Sequence, residues 1–289
     1  MKVIVFGGSG FLGSHVADEL SNRGFDVTIF DLNPSAYLRR DQKMIIADIL
    51  NLQDVIEAVN GCTVVYNFAG IADLDDSTTK PLETVRFNIE GNINVLDASV
   101  KAGVKQFVYA SSIYVYSNKG GFYRCSKQAA EIYVEEFNAK YGLDFNILRY
   151  GTLYGPRATA RNSINRYLSQ ALKEGRIVVP GDGEEMREYI HVRDAAKLSV
   201  DILSETYKNQ HIIITGHQAV KFKYLLTMIK EILHNSVDIC FEPGTNPAHY
   251  YLTPYNYMPK IGNKLTTNCY TDMGQGLLEC LHDLDLTFK

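Results

Sequence analysis

The chain has 289 residues, 46% of them hydrophobic, with 29 basic against 33 acidic side chains and a net charge of -4. That length supports one main domain with an appended one, and a near-balanced charge without blocks of one sign gives no footprint for nucleic acid or an anionic membrane. Five cysteines, Cys62, Cys125, Cys240, Cys269 and Cys280, are scattered with no CxxC pair, which predicts reduced thiols in the cytoplasm and argues against a disulfide framework or a zinc site.

In chain order, "KVIVF" reads as a strand, residues 11–23 as a helix, "DVTIFD" and "MIIA" as strands, "LQDVIEAVN" as a helix and "TVVYNFA" as a strand. Residues 81–102 then read as a helix, "QFVYAS" as a strand, 123–141 as a helix and "DFNILRY" as a strand. Short apolar runs alternating with amphipathic helices predict a doubly wound α/β domain with a parallel sheet. No apolar run is long enough to cross a bilayer and no leader pattern precedes the first strand, so no membrane role is expected. After Tyr150 the pattern turns irregular, with loop-like "GTLYGPRATARN", "VVPGDGEEMRE" and "CFEPGTNPAHYYLTPYNYMPKIGNK" between shorter helices. "HIIIT", following a helix that starts near Arg193, reads as one more strand of the main sheet. The expected division is a main domain over 1–150, rejoined by 193–216, and a smaller discontinuous lobe over 151–192 and 217–289.

"VIVFGGSGFLGSHVADEL" sets Gly7, Gly10 and Gly13 in a GxxGxxG turn between a strand and a helix, with Phe11 and Leu12 inside it. Glycine permits a tight turn, close backbone approach to a pyrophosphate and close helix packing, while the helix N-terminus offers its N–H groups to the phosphates. Asp31 ends the second strand, where an acid hydrogen-bonds ribose hydroxyls and repels a 2'-phosphate, so NAD is favoured over NADP; the alternative is a turn-capping role in "DLNPS". Asp48, followed by Ile49, falls at the adenine edge by the same geometry, again with capping as the alternative. Arg39 and Arg40 in "SAYLRR" leave NADP open; the competing reading places both on a solvated helix face.

"QFVYASS" delivers Ser111 and Ser112 to the carboxyl end of a strand, the edge where open α/β sheets bind ligands. Tyr123 and Lys127 follow at i and i+4 on one helix face. A phenol is a poor base at neutral pH, but a neighbouring ammonium and a nicotinamide cation would lower its pKa, and Lys127 would reach the nicotinamide ribose.

Together "GGSGFLG", "YASSIYVYS", "YRCSK", "LRYGTLYGPR" and "REYIHVRDAA" resemble the extended short-chain dehydrogenase/reductase family, and within it the NAD-dependent nucleotide-sugar epimerase and dehydratase group. The resemblance covers nearly the whole chain and implies a Rossmann-type sheet with a substrate-binding C-terminal lobe. It implies that Ser112 hydrogen-bonds the reacting sugar hydroxyl, Tyr123 is general base and acid, and Lys127 anchors the cofactor. It further implies that Asn67, Phe68, Ala69 and Gly70 lie along the cofactor, with Asn88 close to the active site and Tyr150 beside the nicotinamide. Arg187 matches an arginine on the substrate diphosphate, and Thr152 stands where epimerase-type relatives carry an asparagine near the sugar nucleotide. A homodimer formed through the two long helices is implied as well. The linker "IYVYSNKGGF" is shorter than in most sugar-nucleotide enzymes.

The 4,6-dehydratases carry an Asp-Glu pair directly after the active-site Ser or Thr; Ile113 and Tyr114 stand there, and neither supplies a carboxylate. The resemblance therefore implies a C4 epimerase working through a transient keto-sugar. An NAD(P)H-dependent reductase of a keto-sugar nucleotide is the alternative, and a dinucleotide-sensing regulator the non-enzymatic one. His191 is expected to pack or hydrogen-bond in the core, Cys125 to be a buried structural thiol, and the aromatics of "HYYLTPYNY" to cover the second lobe or stack on a base.

Overall fold

The computed structural model describes residues 1–72, 77, 79–244 and 250–254. All of these belong to one unit, Met1–Tyr257; the other unit, Met258–Lys289, lies outside the described residues, as do Cys269 and Cys280.

The first half alternates strand and helix: β1 (Lys2–Phe6), α1 (Phe11–Asn22), β2 (Asp26–Asp31), β3 (Gln42–Ile46), α2 (Leu52–Val59) and β4 (Val64–Asn67). A helical run follows as α3 (Pro81–Val85), a π segment (Arg86–Glu90) and α4 (Gly91–Lys101), and then β5 (Gln106–Ser112), a 3-10 turn (Ile113–Tyr116), α5 (Gly121–Tyr141) and β6 (Asp144–Tyr150). The second half contains β7 (Thr152–Tyr154), α6 (Ser163–Glu174), β8 (Arg176–Pro180), β9 (Met186–His191) and α7 (Val192–Asp201). It continues with β10 (Gln210–Ile214), β11 (Ala219–Lys221), α8 (Phe222–Ile232) and β12 (Asp238–Glu242).

Seven parallel strands form the main sheet in the order β10-β6-β5-β4-β1-β2-β3. Alternation along β1 sends Val3 and Val5 into the core under α1 and α7, and Ile4 and Phe6 into the opposite core under α2, α4 and α5. Both faces are covered, so the central strands read as continuous apolar runs. The order reverses between β1 and β4, and at such a switch point the strand ends part to leave a crevice. The expected return of "HIIIT" to the sheet is met by β10, which pairs with β6.

Beyond β6, β11-β9-β7 and β12-β8 form small sheets, and α6 and α8 close a third core around Tyr167, Ile177, Val179, Phe222 and Leu226.

Three local expectations are corrected. The helix read as 81–102 contains the π segment around Asn88. The helix read from Tyr123 begins at Gly121, because Gly120 turns the chain with φ +91°. Arg39 and Arg40 lie outside any helix: Arg39 bonds Asp41 (2.9 Å) and Asn22 (2.6 Å), and Asn22, the last residue of α1, holds it against that helix.

Candidate active site

The glycine turn sits at the switch point, against the loop that leaves β4. Gly7 has φ +74°, and a Cβ there would stand 2.6 Å from the Ala69 nitrogen. At Gly13 a Cβ would stand 2.2 Å from the Gly7 carbonyl oxygen, so both positions admit only hydrogen. Gly10 begins α1 without a side-chain cap, and no acid occupies the first helical turn. The N–H groups of Phe11, Leu12 and Gly13 have no intrahelical acceptor at that end, and an anion satisfies both them and the helix dipole. This cradle fits a dinucleotide diphosphate.

Asp31 performs the capping role in the structure: Oδ1 accepts the Asn33 N–H and Oδ2 the Ser9 N–H, both at 3.0 Å. It thereby braces the glycine loop, and each oxygen keeps a lone pair for a ribose hydroxyl. Asp48 accepts the Leu50 N–H at 2.9 Å, while Ile49 is buried beneath Gly91. After β4, Asn67 accepts the Ala69 N–H at 3.1 Å, and Phe68 stacks on Tyr66 with ring centroids 5.9 Å apart. Gly70 is held to hydrogen, because a Cβ would meet Asn88 Oδ1 at 2.4 Å.

Asn88, Ser111 and Tyr150 have partners for their side-chain polar groups within the protein. The Asn88 Oδ1 accepts the Ile71 N–H (2.7 Å), and its Nδ2 donates to the Ile71 carbonyl (2.9 Å) and Ser126 (2.9 Å), so it positions the loop. Ser111 donates to Glu131, since successive strand side chains face opposite ways and Ser112 takes the cleft side. The Tyr150 hydroxyl meets Ser199 of α7 at 2.6 Å, inside the core beneath α1 and α7.

Ser112, Tyr123 and Lys127 converge as their spacing predicts. Ser112 ends β5 and shares a hydrogen bond with the Tyr123 phenol. Lys127 Nζ donates to the Ala110 carbonyl at 2.7 Å and lies 4.8 Å from the Tyr109 ring centroid and 5.8 Å from that of Tyr123. In the protein by itself, without a nicotinamide cation, burial dominates both groups. Burial pushes Tyr123 up to about 12, opposed by Ser112, and burial pulls Lys127 down to about 8, opposed by Glu131. Desolvation disfavours both charged forms.

The short linker closes over this cluster. A Cβ on Gly120 would stand 2.7 Å from the Tyr114 ring, so the glycine lets the loop lie flat on it. The Tyr114 ring packs on Tyr123 (6.2 Å) and Tyr250 (4.9 Å). Tyr250 thus walls the cleft, and Tyr251 beside it is exposed; His249 and Tyr255, Asn256 and Tyr257 of "HYYLTPYNY" lie outside the described residues. Thr152 Oγ1 is 3.4 Å from the Tyr250 hydroxyl. The Arg187 guanidinium lies 6.0 Å from the Tyr250 ring, and its Nε is buried with no hydrogen-bond partner among the described residues. It borders a cavity of about 400 Å³ lined also by Ser163, Arg166, Tyr167, Gln170 and Phe222.

From sequence Tyr114 stands only as a missing carboxylate, and Tyr250 as lobe covering or a base-stacking ring; no spacing rule links residues so far apart. Cys125 is corrected from buried to exposed, with Arg124 Nη2 3.7 Å from its sulfur. His191 caps α7 by accepting the Arg193 N–H at 3.3 Å. Among the described residues no group of three or more His, Cys, Asp or Glu side chains is placed to hold a metal, and no helix is long and apolar enough to cross a membrane.

A seven-stranded doubly wound sheet in this order, with a glycine turn at its switch point, is the Rossmann fold. Residues 3–215 match the model of the NAD dependent epimerase/dehydratase family, and the chain belongs to that family. It is 29% identical over 268 residues to a UDP-N-acetyl-alpha-D-glucosaminuronate decarboxylase of Bacillus cytotoxicus, covering 84% of this chain and 83% of the relative. It is 28% identical over 222 residues to a UDP-glucuronate 4-epimerase of Thermodesulfobacterium geofontis, covering 67% and 69%. The solved UDP-glucose 4-epimerase of Thermotoga maritima, bound to UDP-glucose, superposes with a TM-score of 0.82 at 25% identity, covering 89% of this chain and 90% of that one.

Proposed function

We propose that this chain is an NAD-dependent nucleotide-sugar epimerase acting at C4. The observation that carries the reading is the convergence of Ser112, Tyr123 and Lys127 at the end of β5, with β4 between it and the strand that leads into the glycine cradle. UDP-sugar 4-epimerases among the relatives support it, and so does the pairing of Ile113 and Tyr114, which offers no acid and base for dehydration.

Gly7, Gly10 and Gly13 with the first turn of α1 would hold the NAD diphosphate, Asp31 the adenosine ribose and Lys127 the nicotinamide ribose. When bound, NAD supplies a reversible hydride acceptor and a positive charge. Ser112 holds the reacting hydroxyl, and Tyr123 takes its proton as the sugar becomes a ketone. The keto-sugar turns in the cleft, and Tyr123 returns the proton at the inverted centre. Arg187, whose Nε has no hydrogen-bond partner among the described residues, takes a substrate phosphate oxygen, leaving the sugar between Tyr114, Tyr250 and Thr152.

The same proposal includes cytoplasmic residence, supported by the free thiols Cys62, Cys125 and Cys240, and a homodimer. The test is to denature freshly purified protein and identify the released dinucleotide by mass spectrometry. Near-stoichiometric NAD is expected, since the cofactor is regenerated each turnover. A protein that emerges empty and is filled only by added NADPH would overturn the epimerase reading in favour of a reductase. Replacing Tyr123→Phe should lower turnover by about 10²–10⁴-fold while NAD binding persists; full biological activity in that variant would mean a sensor instead of an enzyme.

A further inference from the structure

Three consecutive residues at the end of β5 each hold one of three residues spaced a helical turn apart on α5. Ser112 bonds Tyr123, the Ala110 carbonyl accepts from Lys127 at 2.7 Å, and Ser111 donates to Glu131. Tyr123, Lys127 and Glu131 stand at i, i+4 and i+8 on one helix face. The proposed chemistry uses the first two pairs and leaves the third unexplained.

Glu131 is only 6% exposed, so its charge has to be met inside the protein. Arg149 of β6 meets it with a two-pronged pair, Nε at 3.0 Å and Nη2 at 2.6 Å. Arg149 also donates through Nη1 to the Tyr116 hydroxyl at 2.6 Å, lies 4.7 Å from that ring, and has Nη2 2.8 Å from His211 Nδ1 of β10. The far nitrogen of His211 reaches Glu135 at 2.8 Å. A buried ion pair of this kind adds little stability over apolar residues of the same volume, which points to a use beyond packing.

We propose that Glu131 is a positioning residue of the active site: through Ser111 it holds β5 in register with α5, and it sets a buried carboxylate one helical turn from Lys127 on the face that carries Tyr123. The inference rests on the catalytic reading of Tyr123. Burial works against the charged lysine and Glu131 works for it. The other titratable groups turned toward Lys127 are the neutral phenols Tyr109 from β5 and Tyr123 on its own helix. Behind Glu131 stand Arg149, Tyr116, His211 and Glu135, and without Glu131 the Arg149 cation would lose its carboxylate partner.

The test follows Lys127 itself. Full-length protein with ¹³Cε-labelled lysine is titrated by NMR, with Lys127→Met to assign the signal, in the parent, in Glu131→Gln and in Glu131→Gln/Arg149→Gln. The double variant removes the stranded cation, so it carries the test even where the single variant fails to fold. In the parent Lys127 should titrate at about 8, and in the double variant about one pH unit lower, with a melting temperature close to that of the parent. An unchanged Lys127 titration in a folded double variant would overturn the proposal and leave Glu131 a packing role. The readout needs no turnover: an active Tyr123→Phe protein would sink the catalytic reading without moving the Lys127 signal.

Discussion

Gly13 has no room for a methyl group, whereas Gly10 nearly does: a Cβ would stand 2.2 Å from the Gly7 carbonyl oxygen at the first and 3.2 Å at the second. Gly13→Ala must therefore push α1 off the glycine loop. The expected outcome is a loss of about 1–3 kcal/mol in a denaturation experiment and purification without bound dinucleotide. Gly10→Ala should fold nearly as well as the parent, and a Gly13→Ala protein that keeps its dinucleotide would show that the cradle is not the binding site. The glycines, Tyr123 and Lys127 were legible because turn spacing and helical spacing place them without knowledge of distant chain. The orientations of Ser111, Asn88 and Tyr150 were not, because sequence position does not say which partner waits on the other side of a strand or loop.

At the scale of elements, the helical run from Pro81 to Lys101 carries a π segment at Arg86–Glu90, and the extra residue in that turn accompanies Asn88 into the loop after β4. Asn88→Ala strands the N–H and carbonyl of Ile71 and should cost about 1–3 kcal/mol in urea unfolding; an unchanged midpoint would mean the loop is held by other groups. The apolar pattern of 81–102 reads as plain helix, since one inserted residue shifts the stripe too little to show. Between β9 and β11 a second device is electrostatic: Glu184 accepts from Lys221 at 2.7 Å and from Lys223. Hydrogen bonds from Lys221 and then Lys223 lower its carboxyl from 4.5 to about 2. A lowered carboxylate contributes stability above its unfolded value that fades as pH falls toward the folded one. Parent and Glu184→Gln should thus differ in Tm at pH 6, and the gap should close between pH 4.5 and about 2. A gap that persists at pH 2 would assign the effect to packing.

At the scale of the whole molecule, α3 and α5 pack together and leave apolar side chains in water. Leu82 is 79% exposed, Val85 49%, Ile132 58% and Tyr133 44%. Solvent-facing apolar groups gathered on two adjacent helices suit a two-fold contact with a second copy. Light scattering at micromolar concentration should give a dimer mass, and Leu82→Glu combined with Ile132→Glu should shift it to monomer. A monomeric parent would count against the homodimer.

Sequence alone determined the alternation of strand and helix, the glycine turn, the acid at Asp31 and the Ser112, Tyr123, Lys127 face, because each is written in spacings shorter than one supersecondary unit. Tertiary structure decided what those groups meet. Burial against the carboxyl end of β5 raises Tyr123 and lowers Lys127. Tyr250 arrives on Tyr114 from far along the chain, and β6 brings Arg149 to Glu131. Desolvation and long-range pairing depend on which surfaces the fold brings together, and no local pattern encodes that.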